Sequence, residues 1–340
     1  MNEILAQLDQ WLHAHPPRPC VLATVVETSA SAPRPAGTQM AIGPDGTVVG
    51  SLSGGCIEAD VVARAEEVAT TGRPHLQDYG YSDDAAWAVG LTCGGTIRVL
   101  VERLDADDAA LIHRLAARVR DGRPVALVTT SLTRHLVEPD DDAPVFTTLL
   151  REGRSGPVTV DGVEYLVCSY PAPERMIVFG STAFAAALCR LATQVGYRVT
   201  VCDARGLFTT RERFPDAHHI VVSRPDAYLA QTDIDDRTVL CAMTHDPKFD
   251  DPLLAAALNT PARFIGAMGS RQVTGRRRER LREQGIDDAR LHAPVGLDLG
   301  ALSPEETAVS ILAEIIAARR GGTARSLTQT TGPIHLRRSI

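Results

Sequence analysis

At 340 residues, with 44% hydrophobic and 23% charged side chains, the chain is long enough for two globular domains of common size. A net charge of -7 excludes nucleic acid as an expected partner, because phosphate-backbone binding needs a basic surface, while a local arginine cluster can still serve an anionic small molecule. No run approaches the ~18 apolar residues of a membrane span, and the opening MNEILAQLDQ lacks the basic and apolar regions of a signal peptide, so a cytoplasmic protein without a membrane partner is expected.

Ile4, Leu5, Leu8, Trp11 and Leu12 repeat at helical spacing, and the helix should stop before Pro16 and Pro17. Val21 to Glu27 reads as a strand, and Thr38–Ile42 and Thr47–Leu52 as a hairpin across the turn Pro44-Asp45-Gly46. After Ser53-Gly54-Gly55-Cys56 the pattern turns helical, with Ile57, Val61, Val62 and Ala65. Thr96 to Val101 is the next strand, entered from Cys93-Gly94-Gly95. Leu111, Leu115 and Val119 mark a helix, Pro124 to Thr130 a strand, and short strands are expected near Val145–Leu150 and Glu164–Ser169. Pro171-Ala172-Pro173 is the linker, because paired prolines discourage both helix and central strand.

Beyond the linker the rhythm is strictly β–α. Strands are expected at Met176–Phe179, Tyr197–Cys202, Ile220–Val222, Val239–Met243 and Arg263–Ala267, with helices at Ala183–Val195, Leu253–Leu258 and Val273–Gln284. A last helix starts at the capping box Ser303-Pro304-Glu305-Glu306, with Val309, Leu312 and Ile316 as its apolar face. Such alternation predicts a Rossmann-type, doubly wound parallel sheet over 174–320, following a mixed α/β domain over 1–170 and preceding a disordered tail over 321–340.

Three stretches could carry chemistry. Gly180-Ser181-Thr182 lies between the first Rossmann strand and its helix, where backbone N–H groups favour anions, and Asp203 closes the next strand about 20 residues later, where it can accept from a ribose hydroxyl. The second glycine of GxGxxG is missing, and Thr182 stands in its place. Gly54-Gly55-Cys56 puts a cysteine on the first turn of a helix, a setting that favours thiolate, and Cys93-Gly94-Gly95 puts another on a glycine turn. Both could face a shared cleft and hold a soft metal centre or a sulfur atom; alternatively the glycines serve tight turns and the thiols fill core. Cys20, Cys168, Cys189, Cys202 and Cys241 lie in apolar contexts and read as core. At other strand ends, His245 is an acid–base or metal group or a helix cap, Ser270 and Arg271 suit a phosphate, and Asp298 is a ligand contact or a local cap. The run Arg276 to Arg280 reads as a solvated helix face.

Taken together these motifs resemble the XdhC/CoxI family, accessory factors of molybdenum hydroxylases such as xanthine dehydrogenase. The likeness runs from ATVVETSASAPRPAGTQMAI through GSLSGGCIEADVV to GLTCGGTIRVLVE. It resumes with IVFGSTAFAAALCRLATQVGYRVTVCDAR, RFPDA, MTHDPKFD, FIGAMGSR and PVGLDLGALSPEETAVSILAEIIA, leaving out only about 105–165 and the tail. The resemblance implies a homodimeric maturation factor that binds molybdenum cofactor (molybdopterin, as mono- or dinucleotide), accepts or protects its sulfurated form, and helps insert it into an apo-hydroxylase. A cysteine desulfurase and the client enzyme are the implied partners, and Cys56 and Cys93 are the implied cysteine motifs. At Ser181-Thr182 the chain departs from the GxG pattern usual in the family. Two rivals belong to other classes: an NAD(P)-dependent oxidoreductase using Asp203 and His245, and a sulfurtransferase carrying a persulfide on Cys56.

Overall fold

A computed structural model of the chain describes residues 2–14, 19–29, 32, 34–80, 95–131 and 133–331. It divides into two compact units, the first running through Ala172 and the second from Pro173 to Thr330.

The first unit contains α1 (Asn2–His13), β1 (Cys20–Ser29), β2 (Gln39–Ile42), β3 (Val48–Gly50), α2 (Glu58–Thr71), β4 (His75–Tyr79), β5 (Thr96–Leu104), α3 (Ala109–Arg120), β6 (Val125–Thr129), β7 (Arg134–Val137), α4 (Pro144–Glu152), β8 (Gly156–Val160) and β9 (Val163–Tyr170). They build two antiparallel sheets, ordered β3-β2-β1-β5-β4 and β7-β6-β9-β8. Side chains alternate across a strand, so β1 serves two cores. Val21, Ala23 and Val25 pack with Val61, Ala65 and Val68 of α2, while Cys20 and Leu22 pack with Leu5, Leu8 and Leu12 of α1 and Ile112 and Leu115 of α3.

The strand expected over Val145–Leu150 is overturned: these residues lie in α4. Pro144 sits at the first helical position, Gly153 closes the helix in a left-handed conformation, and Leu149 and Leu150 are buried. Strands β4, β7 and β8 carry no matching expectation. In β4 the half-exposed alternate positions are polar, in β7 only Val137 of four residues is buried, and β8 holds Pro157, which an edge strand tolerates.

The second unit contains β10 (Arg175–Phe179), α5 (Ala183–Gln194), β11 (Arg198–Asp203), β12 (His219–Val222), α6 (Pro225–Ala230), β13 (Val239–Ala242), α7 (Pro247–Leu258), β14 (Phe264–Ala267), α8 (Arg271–Glu283), β15 (Leu291–His292) and α9 (Pro304–Arg320). All six strands pair in parallel, in the order β12-β11-β10-β13-β14-β15. This is the doubly wound Rossmann arrangement, with the order reversing at β10. Met176 and Val178 of β10 face a core shared with α5 and α9, whereas Ile177 and Phe179 face one shared with α7 and α8. Burial on both faces explains why these strands read as continuous apolar runs.

Helix α9 begins at the expected capping box, with the Ser303 hydroxyl and the Glu306 carboxylate each accepting from the other residue's backbone N–H. Its buried stripe is Ala308, Ile311, Leu312 and Ile315; Val309 and Ile316 of the expected face are 50% and 38% exposed. The true stripe keeps the i, i+3, i+4, i+7 spacing but is rotated, because the whole of 308–316 is rich in apolar residues. In the tail, Leu327–Gln329 form one 3-10 turn, while 332–340 lie outside the described residues.

Leu188 of α5 is fully buried against this sheet. Leu188→Ala is expected to destabilise the second unit by about 2–5 kcal/mol, the usual result of lost transfer energy plus a cavity. Urea unfolding followed by circular dichroism, with wild type alongside, measures the shift.

Candidate functional site

In the first unit, residues 51–57 wrap around one carboxylate. Glu58, the first residue of α2, accepts at Oε1 from the Ser51 hydroxyl (2.7 Å) and from the N–H groups of Leu52 (3.0 Å), Ser53 (2.8 Å) and Gly54 (3.1 Å). Its Oε2 accepts from the Ser53 hydroxyl (2.6 Å) and from Gly55 and Ile57 N–H (2.9 and 3.2 Å). Gly54 and Gly55 have φ of +90° and +121°, a backbone that side-chain-bearing residues rarely adopt, and this turns their N–H groups inward. Burial alone would raise the Glu58 pKa, but the bonds from Ser53, Ser51 and the loop backbone hold it far below the usual carboxylate range.

Cys56 sits on this loop, exposed, with its N–H donating to the Ser53 hydroxyl at 3.0 Å. The expected first-turn placement is corrected: Ile57 caps the helix and Glu58 begins it, so Cys56 lies just outside. Glu58, rather than a thiolate, takes the anion seat at this helix start. Cys93 and Gly94 lie outside the described residues. Cys20, Cys168, Cys189, Cys202 and Cys241 are buried, as expected of core thiols, and burial pushes them up to about 11 or 12.

In the second unit the carboxyl ends of β10, β11 and β13 meet at a cavity of about 430 Å³, lined among others by Thr182, Asp203, Arg205, Thr244, His245 and Phe249. Gly180 turns there with φ +117°, and a Cβ on it would lie 2.6 Å from the Thr244 methyl. Thr182 replaces the second glycine by capping α5: its hydroxyl accepts from Ala185 N–H at 3.1 Å. Asp203 is buried and fully engaged, accepting from Ser181 N–H (2.7 Å), from Arg205 N–H (2.9 Å) and from the Arg205 guanidinium (2.7 and 3.0 Å). Burial opposes its ionisation, but the bonds from Arg205 and Ser181 hold its pKa below the ordinary value. Arg205 and Arg213 both lie over the Phe208 ring, at 5.5 and 5.4 Å, and Arg213 also reaches the Ser181 carbonyl. The edge can therefore present guanidinium groups and a helix start to an anion. A broader groove of about 700 Å³ beside edge strand β12 shares no lining residue with this cavity.

His245 is exposed on the cavity wall and is not the cap of α7, which is Asp246, accepting from Lys248 N–H at 3.0 Å. Close by lies a pair the sequence reading missed. Asp250 and Arg277 are 0% and 2% exposed and joined at 2.8 Å, with the Thr244 hydroxyl donating to the same carboxylate. Burial pushes Asp250 up to about 6 against the opposing pull of Arg277. The solvated face expected for Arg276 to Arg280 is thereby corrected, since Arg277 is core and Arg278 and Arg280 pair with Asp288 and Asp251. Ser270 caps α8, and Arg271, 91% exposed, meets equally exposed Asp298 at 4.0 Å; none of these three lines the cavity. The Asp250 carboxylate falls within the motif MTHDPKFD, but its partner stands 27 residues on, too far for local spacing to reveal.

Residues 176–315 match the XdhC Rossmann domain, and residues 13–80 match the XdhC and CoxI family. A crystal structure from Bacillus halodurans, described as a xanthine dehydrogenase, is 30% identical, covers 97% of both chains and superposes with a TM-score of 0.73. The chain belongs to the XdhC and CoxI family. A Bacillus subtilis protein named as a probable xanthine dehydrogenase subunit is 28% identical over 313 residues, covering 88% of this chain and 93% of the relative. The molybdenum cofactor insertion chaperone PaoD of Escherichia coli is 28% identical over 305 residues, covering 88% and 83%. Within this XdhC-type framework, the Glu58-centred loop and the Asp203-held turn are the two arrangements the structure builds most completely.

Replacing Glu58 by Gln is expected to cost on the order of 2 kcal/mol at neutral pH, since a charged acceptor is removed from several donors. Its folded pKa lies below the unfolded value of about 4.3, so its stabilisation is present above that pH and lost as pH falls toward the folded value. Urea midpoints of wild type and Glu58→Gln should therefore differ most near pH 7 and draw together progressively below about pH 4. A gap independent of pH would contradict the assignment.

Proposed function

We propose that this protein is a maturation factor that takes up molybdenum cofactor as cargo, accepts or protects its sulfurated form, and delivers it to a xanthine-dehydrogenase-type hydroxylase. In this reading it works in the cytoplasm as a homodimer, meets a cysteine desulfurase and the client enzyme, and does not itself turn over purine. The observation that carries the reading is Cys56, an exposed thiol on a loop fixed by seven bonds to Glu58, among other described thiols that are all buried. A sulfur donor held this way suits soft metal–sulfur chemistry, with Cys93 as its expected companion. Relationship to a molybdenum cofactor insertion chaperone along most of the chain supports the same cargo.

The domain over 174–320 would contribute the anion side of the work. Gly180, Ser181, Arg205 and Arg213 suit a phosphate-bearing ligand, as a pterin phosphate or its nucleotide extension would be. A dinucleotide in the ordinary Rossmann pose fits less well, because Asp203 is already saturated by Ser181 and Arg205. Among the described residues no helix is long and apolar enough to cross a membrane.

Molybdenum retained after incubation with extracted cofactor and gel filtration tests this. Wild type should keep about one equivalent and activate apo-hydroxylase, and Cys56→Ala should bind at least about tenfold more weakly, a loss of about 1.4 kcal/mol. Equal retention by wild type and a Cys56→Ala/Cys93→Ala double variant would remove the cysteine role; no retention by wild type would remove the cargo.

A further inference from the structure

Helices α1 and α3 share a core through Leu5, Leu8 and Leu12 on one side and Ile112, Leu115 and Ala116 on the other. The residue after Leu8, the residue after Leu12 and the residue after Ile112 flank that seam: Asp9, His13 and His113. Asp9 Oδ1 lies 3.0 Å from His13 Nδ1 and 3.1 Å from His113 Nδ1. One ligand atom from each of the three residues falls within 4.8 Å of the others, and the imidazole rings meet edge to face with centroids 5.0 Å apart. No lysine or arginine pairs with Asp9 among the described residues.

We propose that Asp9, His13 and His113 form a binding site for a divalent transition-metal ion of the zinc, nickel or copper kind. Two imidazole nitrogens and one carboxylate oxygen form a donor set that suits these ions and not calcium or magnesium, which prefer oxygen alone. Metal–ligand bonds of about 2.0–2.2 Å place neighbouring ligand atoms about 2.8–3.1 Å apart at right angles and about 3.3–3.6 Å apart at the tetrahedral angle, so two of the three edges already lie near the required length. The third closes by rotation of the imidazoles, which are 56% and 53% exposed, His13 Nδ1 exchanging its 2.9 Å contact with the Asp9 carbonyl for the ion. Asp9 is only 18% exposed and fixed on a packed helix, so it anchors the set. Solvent fills the remaining coordination positions. The ion would tie α1 to α3, a role separate from cofactor delivery.

The test is zinc content and affinity of the untagged full chain at pH 7.5, by equilibrium dialysis and titration calorimetry. Wild type should hold one zinc more than His13→Ala/His113→Ala, and Asp9→Asn should weaken that equivalent about tenfold or more. Since Cys56 and the other thiols also attract zinc, cobalt substitution separates them: the extra equivalent should carry no thiolate-to-cobalt charge-transfer band. Circular dichroism checks the fold, and His113→Ala alone, a change on an exposed face, repeats the comparison should the double variant lose helix. Equal zinc content and affinity in wild type and a folded variant would overturn the site, as would an extra equivalent bound through thiolate.

Discussion

Glycine-rich turns leave backbone N–H groups with no strand or helix partner, and in this chain carboxylates answer them. Glu58 gathers the N–H groups of Leu52, Ser53, Gly54, Gly55 and Ile57; Asp203 holds those of Ser181 and Arg205; Glu314 takes that of Gly296 while also meeting His292. An unmet buried donor costs about 1–3 kcal/mol, so each acid and its turn stand or fall together. Glycine supplies the conformation and the carboxylate supplies the reason to keep it. Gly296, with φ +117° and the Ser310 hydroxyl 2.6 Å from where a Cβ would sit, repeats the close approach seen at Gly180.

The same device shapes the chemistry each unit can offer. In the first unit the acid occupies the helix start and leaves Cys56 as the side chain that solvent meets. In the second unit the acid is paired with Arg205 at the sheet edge, so the cavity wall carries both signs of charge, with Asp246 beside them. Near the cavity of the second unit, the Asp250–Arg277 pair fixes the start of α7 to α8, and breaking such a buried pair leaves an uncompensated charge in the core.

Much of the second unit was legible because β10, β13 and β14 are buried on both faces and α5, α7, α8 and α9 have capped starts. Period and punctuation agree at β10, α5, β11 and α9. The misreadings share a physical cause. VFTTLL reads as β-branched strand until Pro144 and Gly153 are taken as helix bounds, and the apolar density of 308–316 hides which side of α9 faces inward. Glu58 stood inside a motif already singled out for its cysteine, yet its role depends on loop amides folding back upon it. Arg277 looked like one member of a charged run because its partner lies a helix away. Spacing reveals what a helix or strand repeats; it does not reveal which acid a turn encloses.

Burial of the thiols sorts sulfur reactivity by access. Cys20, Cys168, Cys189, Cys202 and Cys241 are sealed in core and stay protonated at neutral pH, since burial raises each to about 11 or 12. A soft electrophile, an oxidant or a persulfide donor arriving from solvent therefore finds Cys56 and passes the others by. Handling a reactive sulfur group then needs no special discrimination among the described cysteines, because the packing that stabilises the fold has already made the choice.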